Sequence, residues 1–295
     1  MIITNNFNLP DVVVSALTQD DYTKGKSNRS VTQLIDSPQV AVLARENEQS
    51  IEKDAVDFLW SRFGTSVHNM FEKSVESKDK LISEERMFAD VLGWTISGAV
   101  DLQELTDKGR IVSDYKVTSV WSVIYDKQEW HNQLNCYAWL IRKSQAVAVK
   151  ELRIIAIIRD WQRRRASEDM GYPQSPIQVI NIPLWSNDDQ DRYVEERVKL
   201  HQNAEFQRLT GDPIEECTQA ETWKKDDTYA VMKKGRKRAV RVLDSKEDAD
   251  DYISAISVDA DNHYIDVRVG EATRCIQNWC QVSKWCPQFA REKTA

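Results

Sequence analysis

The sequence lacks the features that mark membrane-spanning, secreted and nucleotide-driven proteins. No apolar run in its 295 residues approaches the roughly 20 residues needed to span a bilayer. The start, M-I-I-T-N-N-F-N, has no basic region followed by a long apolar core, which predicts no secretory signal and a cytoplasmic location. No G-x-x-x-x-G-K-[ST] motif is present, so this sequence carries no P-loop helicase signature.

Cysteine, histidine and net positive charge are also scarce. The five cysteines of a cytoplasmic chain are expected to be reduced thiols or metal ligands rather than disulfides. A net charge of −7 argues against indiscriminate nucleic-acid binding, although a local basic groove stays open. In contrast, the 10 tryptophans are many for this length, and several are expected to be exposed or functional. The hydrophobic content of 41% is ordinary for a soluble protein, and the length of 295 residues suffices for one large α/β domain or two smaller ones with a sizeable core.

The segment from Gly98 to Lys116 carries the strongest chemical signal. Asp101 lies at the end of one β-like run, and the turn from 106 to 109 predicts a hairpin into the next strand. Asp114 and Lys116 are two residues apart on that strand, so they share a face. Two carboxylates beside an ammonium group form a divalent-metal site next to a positive charge, which suits phosphodiester cleavage.

Two helices are expected to carry further polar groups. Helical spacing of apolar residues from Ser50 to Glu76, interrupted at Gly64, predicts two helices, the second capped by Thr65. His68 on that helix is either a ligand or a half-buried histidine of an amphipathic helix. A helix from 131 to 142 places Gln133 and Tyr137 on one face, as site residues or as ordinary core residues.

The remaining elements of the first 212 residues are strands and one long helix. Strands are predicted at 86–102, 110–118, 151–160 (buried on both faces) and 177–184, and a charged helix at 188–209. After the third strand, Trp161 precedes Arg163, Arg164 and Arg165. Such a run either binds a nucleic-acid backbone while the ring stacks on a base, or is simply solvated.

The composition changes at 211–213, and we predict three regions: 1–212, a small ββα module at 213–262, and a cysteine-rich segment at 263–295. The module is predicted from a hairpin at 228–243 and a helix at 245–256 capped by Ser245. Its turn is either a phosphate-binding element or a solvated loop. The basic side chains of this turn are Lys233, Lys234, Arg236, Lys237 and Arg238.

Three cysteines, Cys275, Cys280 and Cys286, lie within twelve residues, which indicates an iron–sulfur cluster or a metal site rather than core packing. A fourth ligand is required. Cys217 is the favoured candidate because it lies in a polar segment, whereas Cys136 lies on an apolar helix where a buried thiol is ordinary.

Taken in order, G-T-S-V-H-N-M-F-E, G-A-V-D, D-Y-K and Q-L-N-C-Y resemble the RecB-like, Cas4-like branch of the PD-(D/E)XK nuclease superfamily, most like its phage-encoded members. The resemblance covers roughly residues 60–145 and 270–290. It implies an α/β (α+β) restriction-endonuclease-like core, with a central mixed sheet flanked by helices, and a cytoplasmic DNA exonuclease (in the host cytoplasm if phage-encoded) acting in DNA recombination, repair or degradation.

Carried over by residue, the resemblance implies a Mg²⁺ or Mn²⁺ site and a set of supporting residues. The implied metal ligands are His68, Asp101, Asp114 and the backbone carbonyl of Tyr115. Lys116 would position or activate the attacking water, and Gln133 and Tyr137 would support the site and contact DNA. The cysteines depart from the family pattern, since Ser37 stands where an N-terminal cysteine is usual and the first C-terminal gap is x4 rather than x2.

Two alternatives of other classes stay open at this point. In the first alternative the chain is a non-catalytic DNA-binding protein built on a nuclease fold. In the second it is a structural zinc or iron–sulfur protein. Partners expected from the resemblance are DNA ends or single-stranded DNA and no membrane, with a homo-oligomer or a recombination protein as further candidates. The preferred cofactors are Mg²⁺ or Mn²⁺ with a [4Fe–4S] cluster, and Zn²⁺ is the alternative to the cluster.

Overall fold

A computed structural model of the chain describes residues 1–19, 25–75, 79–256, 259–277 and 279–294. It divides into two compact units, one of Met1–Val42 with Asn47–Ile214, the other of Leu43–Glu46 with Glu215–Ala295. The described part of the chain contains no helix that is both long and apolar enough to cross a membrane.

The first unit is built on a six-stranded mixed sheet in the order β2-β5-β6-β7-β8, with β4 paired to β5. The strands of this unit are β1 (Ile2–Thr4), β2 (Arg29–Ser30), β3 (Glu52–Asp54), β4 (Leu81–Val91), β5 (Trp94–Thr106), β6 (Gly109–Thr118), β7 (Val149–Ile158) and β8 (Ile177–Ile182). β1 and β3 form a separate parallel pair. In the main sheet β6 and β7 run parallel, whereas β4–β5, β5–β6 and β7–β8 are antiparallel.

Helices flank this sheet, which agrees with the predicted α/β class. The helices up to residue 214 are α1 (Asp11–Thr18), α2 (Val31–Ile35), α3 (Pro38–Glu46, of which Leu43–Glu46 belongs to the second unit), α4 (Leu59–Val75), α5 (Val120–Ile124), α6 (Gln128–Gln145), α7 (Arg163–Glu168) and α8 (Asn187–Thr210). α6 is the central helix, because ten of the twelve residues from Trp130 to Ile141 are buried. A helix that is apolar on most of its surface belongs in the core.

α4 and α6 pack on opposite faces of the sheet. Ile154 of β7 lies in the large core cluster with α6, whereas Ile155, the next residue, packs in a cluster with Phe71 and Val75 of α4. The side chains of β7 are therefore buried on the α6 face and half-buried on the α4 face. The prediction that both faces of this strand are buried is wrong for the α4 face. Polar side chains on these strands can therefore contact α4 on one face of the sheet and α6 on the other.

Gly98 of β5 permits an unusually close approach of α6. A Cβ at this position would lie 2.8 Å from Cε1 of Tyr137 and 2.8 Å from Cδ1 of Leu140. Because both side chains are buried in the core, neither has room to retreat without disturbing its neighbours. Gly98 thus fixes how near Tyr137, one of the predicted site residues, lies to the sheet.

Two local predictions were wrong. Gly64 does not divide the helix, because α4 runs unbroken through it and Thr65 is no N-cap; residue 76, the predicted end, lies outside the described residues. The predicted strand 86–102 is in fact parts of β4 and β5, joined by a two-residue turn at Leu92 and Gly93 with φ of 49° and 77°. Positive φ at both central residues is the geometry that two-residue hairpins favour.

The second unit contains a three-stranded antiparallel sheet with β9 in the centre. Its elements are β9 (Thr228–Lys233), β10 (Arg241–Leu243), α9 (Lys246–Ala255), β11 (His263–Arg268), α10 (Thr273–Ile276) and α11 (Pro287–Thr294). The predicted hairpin and helix are observed, and the Oγ of Ser245 caps α9 by accepting a hydrogen bond from the amide of Asp248 at 3.0 Å. β11 was not predicted, and it extends this sheet beyond residue 262.

The end of α2 is held by a buried histidine of α8. Nε2 of His201 lies 3.1 Å from the carbonyl oxygen of Leu34, and Nε of Arg197 donates to the same oxygen at 3.0 Å. These side chains satisfy a carbonyl that a helix terminus leaves without an intrahelical partner. Burial, together with the positive charges of Arg29 and Arg197, lowers the pKa of His201 to about 4.

We expect His201 to make the first unit sensitive to acid. Its folded-state pKa lies below the unfolded value of about 6.5, so its contribution to stability is full above that pH and is lost as the pH falls toward 4. This group alone is expected to lower the free energy of unfolding by about 2 to 3 kcal/mol between pH 7 and pH 4. Urea unfolding followed by tryptophan fluorescence measures the change.

His201→Gln is the matched control, because an amide does not titrate in this range. The free energy of unfolding of the variant should decline less steeply with acid than that of the wild type. Parallel curves for the two proteins would show that His201 is not the acid-sensitive group.

Candidate metal centre

The sheet is interrupted on both sides of Asp101. Pairing between β4 and β5 continues before and after the position where Glu84 faces Asp101, but it omits that pair. Pairing between β5 and β6 ends at Leu102 and Ser113, one step before Asp101. Instead of a ladder bond, the amide of Tyr115 donates a hydrogen bond to Oδ2 of Asp101 at 2.8 Å. A carboxylate therefore occupies a gap between strands.

The interruption also changes which face the side chains of β4 and β5 point to. Met87 and Val100 belong to the core cluster on the α6 face. Leu81 and Leu102, which simple alternation would place on that same face, pack instead in the cluster with Phe71 on the α4 face. Strict period-two alternation is thus broken between the two sets, at the position where Glu84 faces Asp101.

Glu84 adopts a backbone conformation that is rare for its residue type. Its φ is +50°, in the left-handed region that costs a residue with a side chain roughly 1–2 kcal/mol. Oε1 of Glu84 lies 3.7 Å from Nδ1 of His68. Backbone strain of this kind is found where the surroundings hold a functional side chain in place.

His68, Glu84 and Asp101 form a group that could hold a metal ion. Among the residues that the structure describes, these are the three whose ligand atoms all lie within 4.8 Å of one another. Nδ1 of His68 lies 3.6 Å from Oδ2 of Asp101. Nε2, the other ring nitrogen of His68, lies at hydrogen-bonding distance, 3.0 Å, from the carbonyl oxygen of Tyr115.

Asp114 and Lys116 form a second group beside this one. Nζ of Lys116 lies 2.6 Å from Oδ2 of Asp114. The amide nitrogen of Gln133 lies 3.0 Å from Oδ1 of Asp114 and 3.0 Å from the hydroxyl oxygen of Tyr137. Asp114 is almost fully buried and Lys116 is half-buried. The carboxylate of Asp114 is therefore fixed from both sides, by the ammonium group in front and by the amide from α6 behind.

The electrostatics of the centre favour a cation. Burial and the negative charge of Asp114 raise the pKa of Asp101 to about 8, against smaller opposing effects of His68, Lys116 and the amide of Tyr115. Burial lowers the pKa of His68, but the hydrogen bond to Glu84 and the charges of Asp101 and Asp114 outweigh it and raise that pKa above its ordinary value. A divalent cation stabilises the ionised forms of two neighbouring buried carboxylates, because its charge offsets their mutual repulsion.

The donor set also fits a hard divalent ion. Carboxylate oxygens, a backbone carbonyl oxygen and one imidazole nitrogen are ligands for Mg²⁺ and Mn²⁺. The structure brings together the predicted His68, Asp101 and Tyr115 carbonyl. Asp114 lies outside the group of three, with Lys116 and Gln133. Glu84 was missed, although its position opposite Asp101 follows from the pairing of β4 with β5.

The four predicted cluster cysteines all belong to the second unit. Cys275, Cys280 and Cys286 are buried and Cys217 is half-buried, and none of them forms a disulfide in the described part of the chain. The side-chain amide of Gln288 on α11 bonds both backbone groups of Cys217, donating to its oxygen at 3.1 Å and accepting from its nitrogen at 2.9 Å. Cys217 is thereby tied to the helix that follows Cys286.

The described cysteine sulfurs do not form a compact group of three. Zn–S bonds of about 2.3 Å place the sulfurs of a tetrahedral site about 3.8 Å apart, whereas no three cysteines of the described chain lie within 4.8 Å of one another. The amide of Phe289 donates to Sγ of Cys286 at 3.5 Å. Cys136 lies apart in α6, where burial raises its pKa to about 12.

The basic segments differ in which of their side chains are exposed and which form ion pairs. Lys233 is ion-paired with Asp259, whereas the side chains of the turn that follows it are exposed. The exposed basic residues of that turn are Lys234, Arg236, Lys237 and Arg238. In the first unit, Arg164 pairs with Glu168 at 2.8 Å, and Arg163 is exposed.

The ring of Trp161 is anchored to the segment that follows α7. Its indole nitrogen donates to the carbonyl oxygen of Pro173 at 2.7 Å, and the ring is half-buried against a small core cluster. Arg165, the last arginine of the run, has its guanidinium 5.9 Å from the ring centre of Trp121, which is exposed. The rings nearest the guanidinium of Arg165 are therefore those of Trp121 and, at 5.0 Å, Tyr172.

Comparisons with known proteins give no family for this chain. No protein-family model matches it, and no curated protein matches it either. The solved structure of SSO0001 aligns with a TM-score of 0.43 and 18% identity, covering 61% of this chain and 79% of the other. A Eubacterium rectale protein named "Putative exonuclease" aligns with a TM-score of 0.29 and 12% identity, over 58% of this chain and 61% of the other. Scores this low carry no functional argument, so the interpretation rests on the site.

Glu84 provides a direct test of the metal centre. We expect Glu84→Gln and Glu84→Gly both to weaken the thermal stabilisation that Mn²⁺ gives the wild type, because each removes the carboxylate. Without metal, the glycine variant should exceed the glutamine variant in free energy of unfolding by about 1 kcal/mol, since glycine adopts positive φ without strain. Thermal and urea unfolding, with Mn²⁺ or EDTA, measure both effects.

Glu85→Gln is the matched control for this test. The carboxylate of Glu85 instead accepts a hydrogen bond from Gln103 at 2.6 Å, so its removal should leave the response to Mn²⁺ intact. A Glu84→Gln variant that responds to Mn²⁺ as the wild type does would remove Glu84 from the centre.

Proposed function

We propose that the protein is a divalent-metal-dependent deoxyribonuclease with a PD-(D/E)XK-type core, acting as an exonuclease on DNA ends or single strands. One observation carries this proposal: the group of His68, Asp101 and the Tyr115 carbonyl adjoins the Asp114–Lys116 pair on consecutive residues of β6. A metal-binding group beside a fixed ammonium suits a phosphodiester, whose non-bridging oxygens share one negative charge that grows during hydrolysis.

The roles follow from the contacts of each side chain. His68, Asp101, Glu84 and the carbonyl of Tyr115 would hold the ion, with Asp114 adjacent. A bound Mg²⁺ or Mn²⁺ ion supplies a lowered pKa for a bound water and positive charge for the phosphate oxygens. The ammonium group of Lys116 would hold the attacking water and offset charge on the phosphate.

The supporting residues act on the orientation of Asp114. Gln133 donates to its Oδ1 and also contacts Tyr137, which the core holds against Gly98. The carboxylate therefore presents its remaining oxygen toward Lys116 in a fixed direction. Fixed orientation of charged groups before the substrate arrives is what makes them effective in catalysis.

Asp114→Asn and Lys116→Gln are expected to lower metal-dependent DNA cleavage by about 100-fold or more, the size of effect typical of losing one preorganised electrostatic group. End-labelled single- and double-stranded DNA, digested with Mg²⁺, Mn²⁺ or EDTA, reports rate and polarity, and circular DNA reports endonuclease activity. Circular dichroism checks that both variants are folded.

Asp107→Asn and Lys108→Gln are matched controls, because they change the same residue types in the exposed turn of the same hairpin. Both should cleave at the wild-type rate. Undiminished cleavage by Asp114→Asn or Lys116→Gln would contradict the nuclease assignment. Metal-independent DNA binding without any cleavage by the wild type would instead favour a non-catalytic DNA-binding protein.

For the second unit we propose a [4Fe–4S] cluster on Cys217, Cys275, Cys280 and Cys286, and DNA contacts by the exposed basic turn after Lys233. Three buried thiols, the tie of Gln288 to Cys217, and the amide-to-sulfur hydrogen bond at Cys286 support the cluster. Amide hydrogen bonds to sulfur are among the factors that tune such clusters.

Anaerobically purified protein is expected to be brown, with broad visible absorption and about four iron atoms per chain. Cys280→Ser should lose this absorption. Cys136→Ser should keep it, because Cys136 lies in α6 of the other unit. A colourless protein with bound zinc, or with neither metal, would contradict the cluster.

A further inference from the structure

A group of exposed aromatic rings lies at the carboxyl ends of the parallel strands β6 and β7. Trp60 on α4 is 54% exposed, Trp121 on α5 is 50% exposed, and Tyr125 just after α5 is 66% exposed. The rings of Trp121 and Tyr125 are stacked, with centres 5.9 Å apart and planes at 17°. Exposing large aromatic rings to water costs free energy. Several such rings at one edge of the sheet therefore indicate a binding surface.

Two arginines lie against these rings. The guanidinium of Arg159 lies 4.6 Å from the ring centre of Trp60, and that of Arg165 lies 5.9 Å from Trp121 and 5.0 Å from Tyr172. Neither arginine forms an ion pair with any residue in the described part of the chain. Their charges are therefore not neutralised there by carboxylates, and the surface combines flat apolar rings with available positive charge.

The rings stand on a packed base. Val120 of α5 belongs to a small buried cluster with Ile158 and Tyr172. The amide of Val120 donates to Oδ1 of Asp160 at 2.7 Å, and the amide of Arg159 donates to the carbonyl of Thr118 at 2.9 Å. The backbone that carries Trp121 and Arg159 is thus cross-linked before any ligand binds, which reduces the entropy lost on binding.

The surface adjoins the metal centre along two elements. Trp60 and His68 lie on the same helix, eight residues and therefore about 12 Å apart along its axis. Trp121 follows Lys116 by five residues, directly after the end of β6. A chain of phosphates that reached the metal centre would have the rings of Trp60 and Trp121 within a few nucleotides of the bond to be cut.

We propose that Trp60, Trp121 and Tyr125, with Arg159 and Arg165, form a stacking surface for the unpaired bases and phosphates of single-stranded DNA entering the metal centre. The choice of nucleic acid rests on the proposed nuclease function. Exposed rings stack on any unpaired base, and arginines bind the backbone between them. Bases in a duplex have their faces covered by neighbours, so the surface selects single strands.

Trp60→Ala and Trp121→Ala test this surface in the full chain. Binding of a fluorescently labelled oligothymidylate is measured by anisotropy in EDTA, where no cleavage occurs. We expect each variant to bind roughly 5- to 100-fold more weakly, as found for loss of one base-stacking aromatic, while a duplex of equal length binds with unchanged affinity. Trp121→Phe, which keeps a ring, should retain most of the affinity.

Phe206→Ala is the matched control, since Phe206 is 61% exposed on α8, away from these elements in the sequence. Its affinity for the oligothymidylate should equal that of the wild type. Unchanged binding by both tryptophan variants, or equal losses for single strands and duplex, would overturn the stacking surface. A change in oligomeric state without a change in DNA binding would overturn it as well and mark a protein interface.

The two proposals fail in different assays. Cleavage of the same oligonucleotide with Mn²⁺ tests the nuclease through Asp114→Asn, whereas anisotropy in EDTA tests the surface through the tryptophans. Cleavage that needs Asp114 together with binding indifferent to Trp60 and Trp121 would retain the nuclease and reject the surface. Tryptophan-dependent binding to single strands without cleavage would retain the surface and reject the nuclease.

Discussion

The structure around β5 depends on negative charge held where water is largely excluded. Asp101 and Asp114 are both buried, and their mutual effect with burial raises the pKa of Asp101 to about 8. The surrounding fold supplies only partial compensation, from Lys116, His68 and one backbone amide. The interrupted ladder, the positive φ of Glu84 and the change of face along two strands all bring polar atoms to this place. A regular sheet would have used these backbone groups for pairing, so the site exists at the expense of local strand regularity.

Much of this site could be predicted from the sequence, because several of its residues form pairs that are close together along the chain. Asp114 and Lys116 follow from strand alternation, and Gln133 and Tyr137 from helical spacing, since both depend only on local periodicity. Glu84 could not be found in that way. Its position opposite Asp101 depends on the turn at Leu92 and Gly93, which lies inside a segment that the sequence pattern predicts as one strand. The turn sets the register of the two strands that it joins. When the turn is not predicted, the cross-strand partners on those strands cannot be predicted either.

The same limit explains the other differences. Gly64 is a helix breaker by propensity, but the packing of α4 on the sheet outweighs a cost of about 1 kcal/mol. Trp161 was paired with the arginine run because it is adjacent in sequence. The folded chain places Trp121, some forty residues earlier, and Tyr172 beside Arg165. Neighbours brought together by parallel strands cannot be seen in a local pattern.

Gly98 has a consequence for how this protein can vary. The separation between β5 and α6 is set there by the absence of a single side chain, and the residue it admits, Tyr137, shares a hydrogen bond with the amide that orients Asp114. Selection for a well-packed interior and selection for a correctly aimed carboxylate therefore act on one position. A substitution at Gly98 or Tyr137 that an ordinary core would tolerate would here also change the orientation of Asp114. Related sequences are therefore expected to vary more among the exposed residues around the site than among the buried residues that support it.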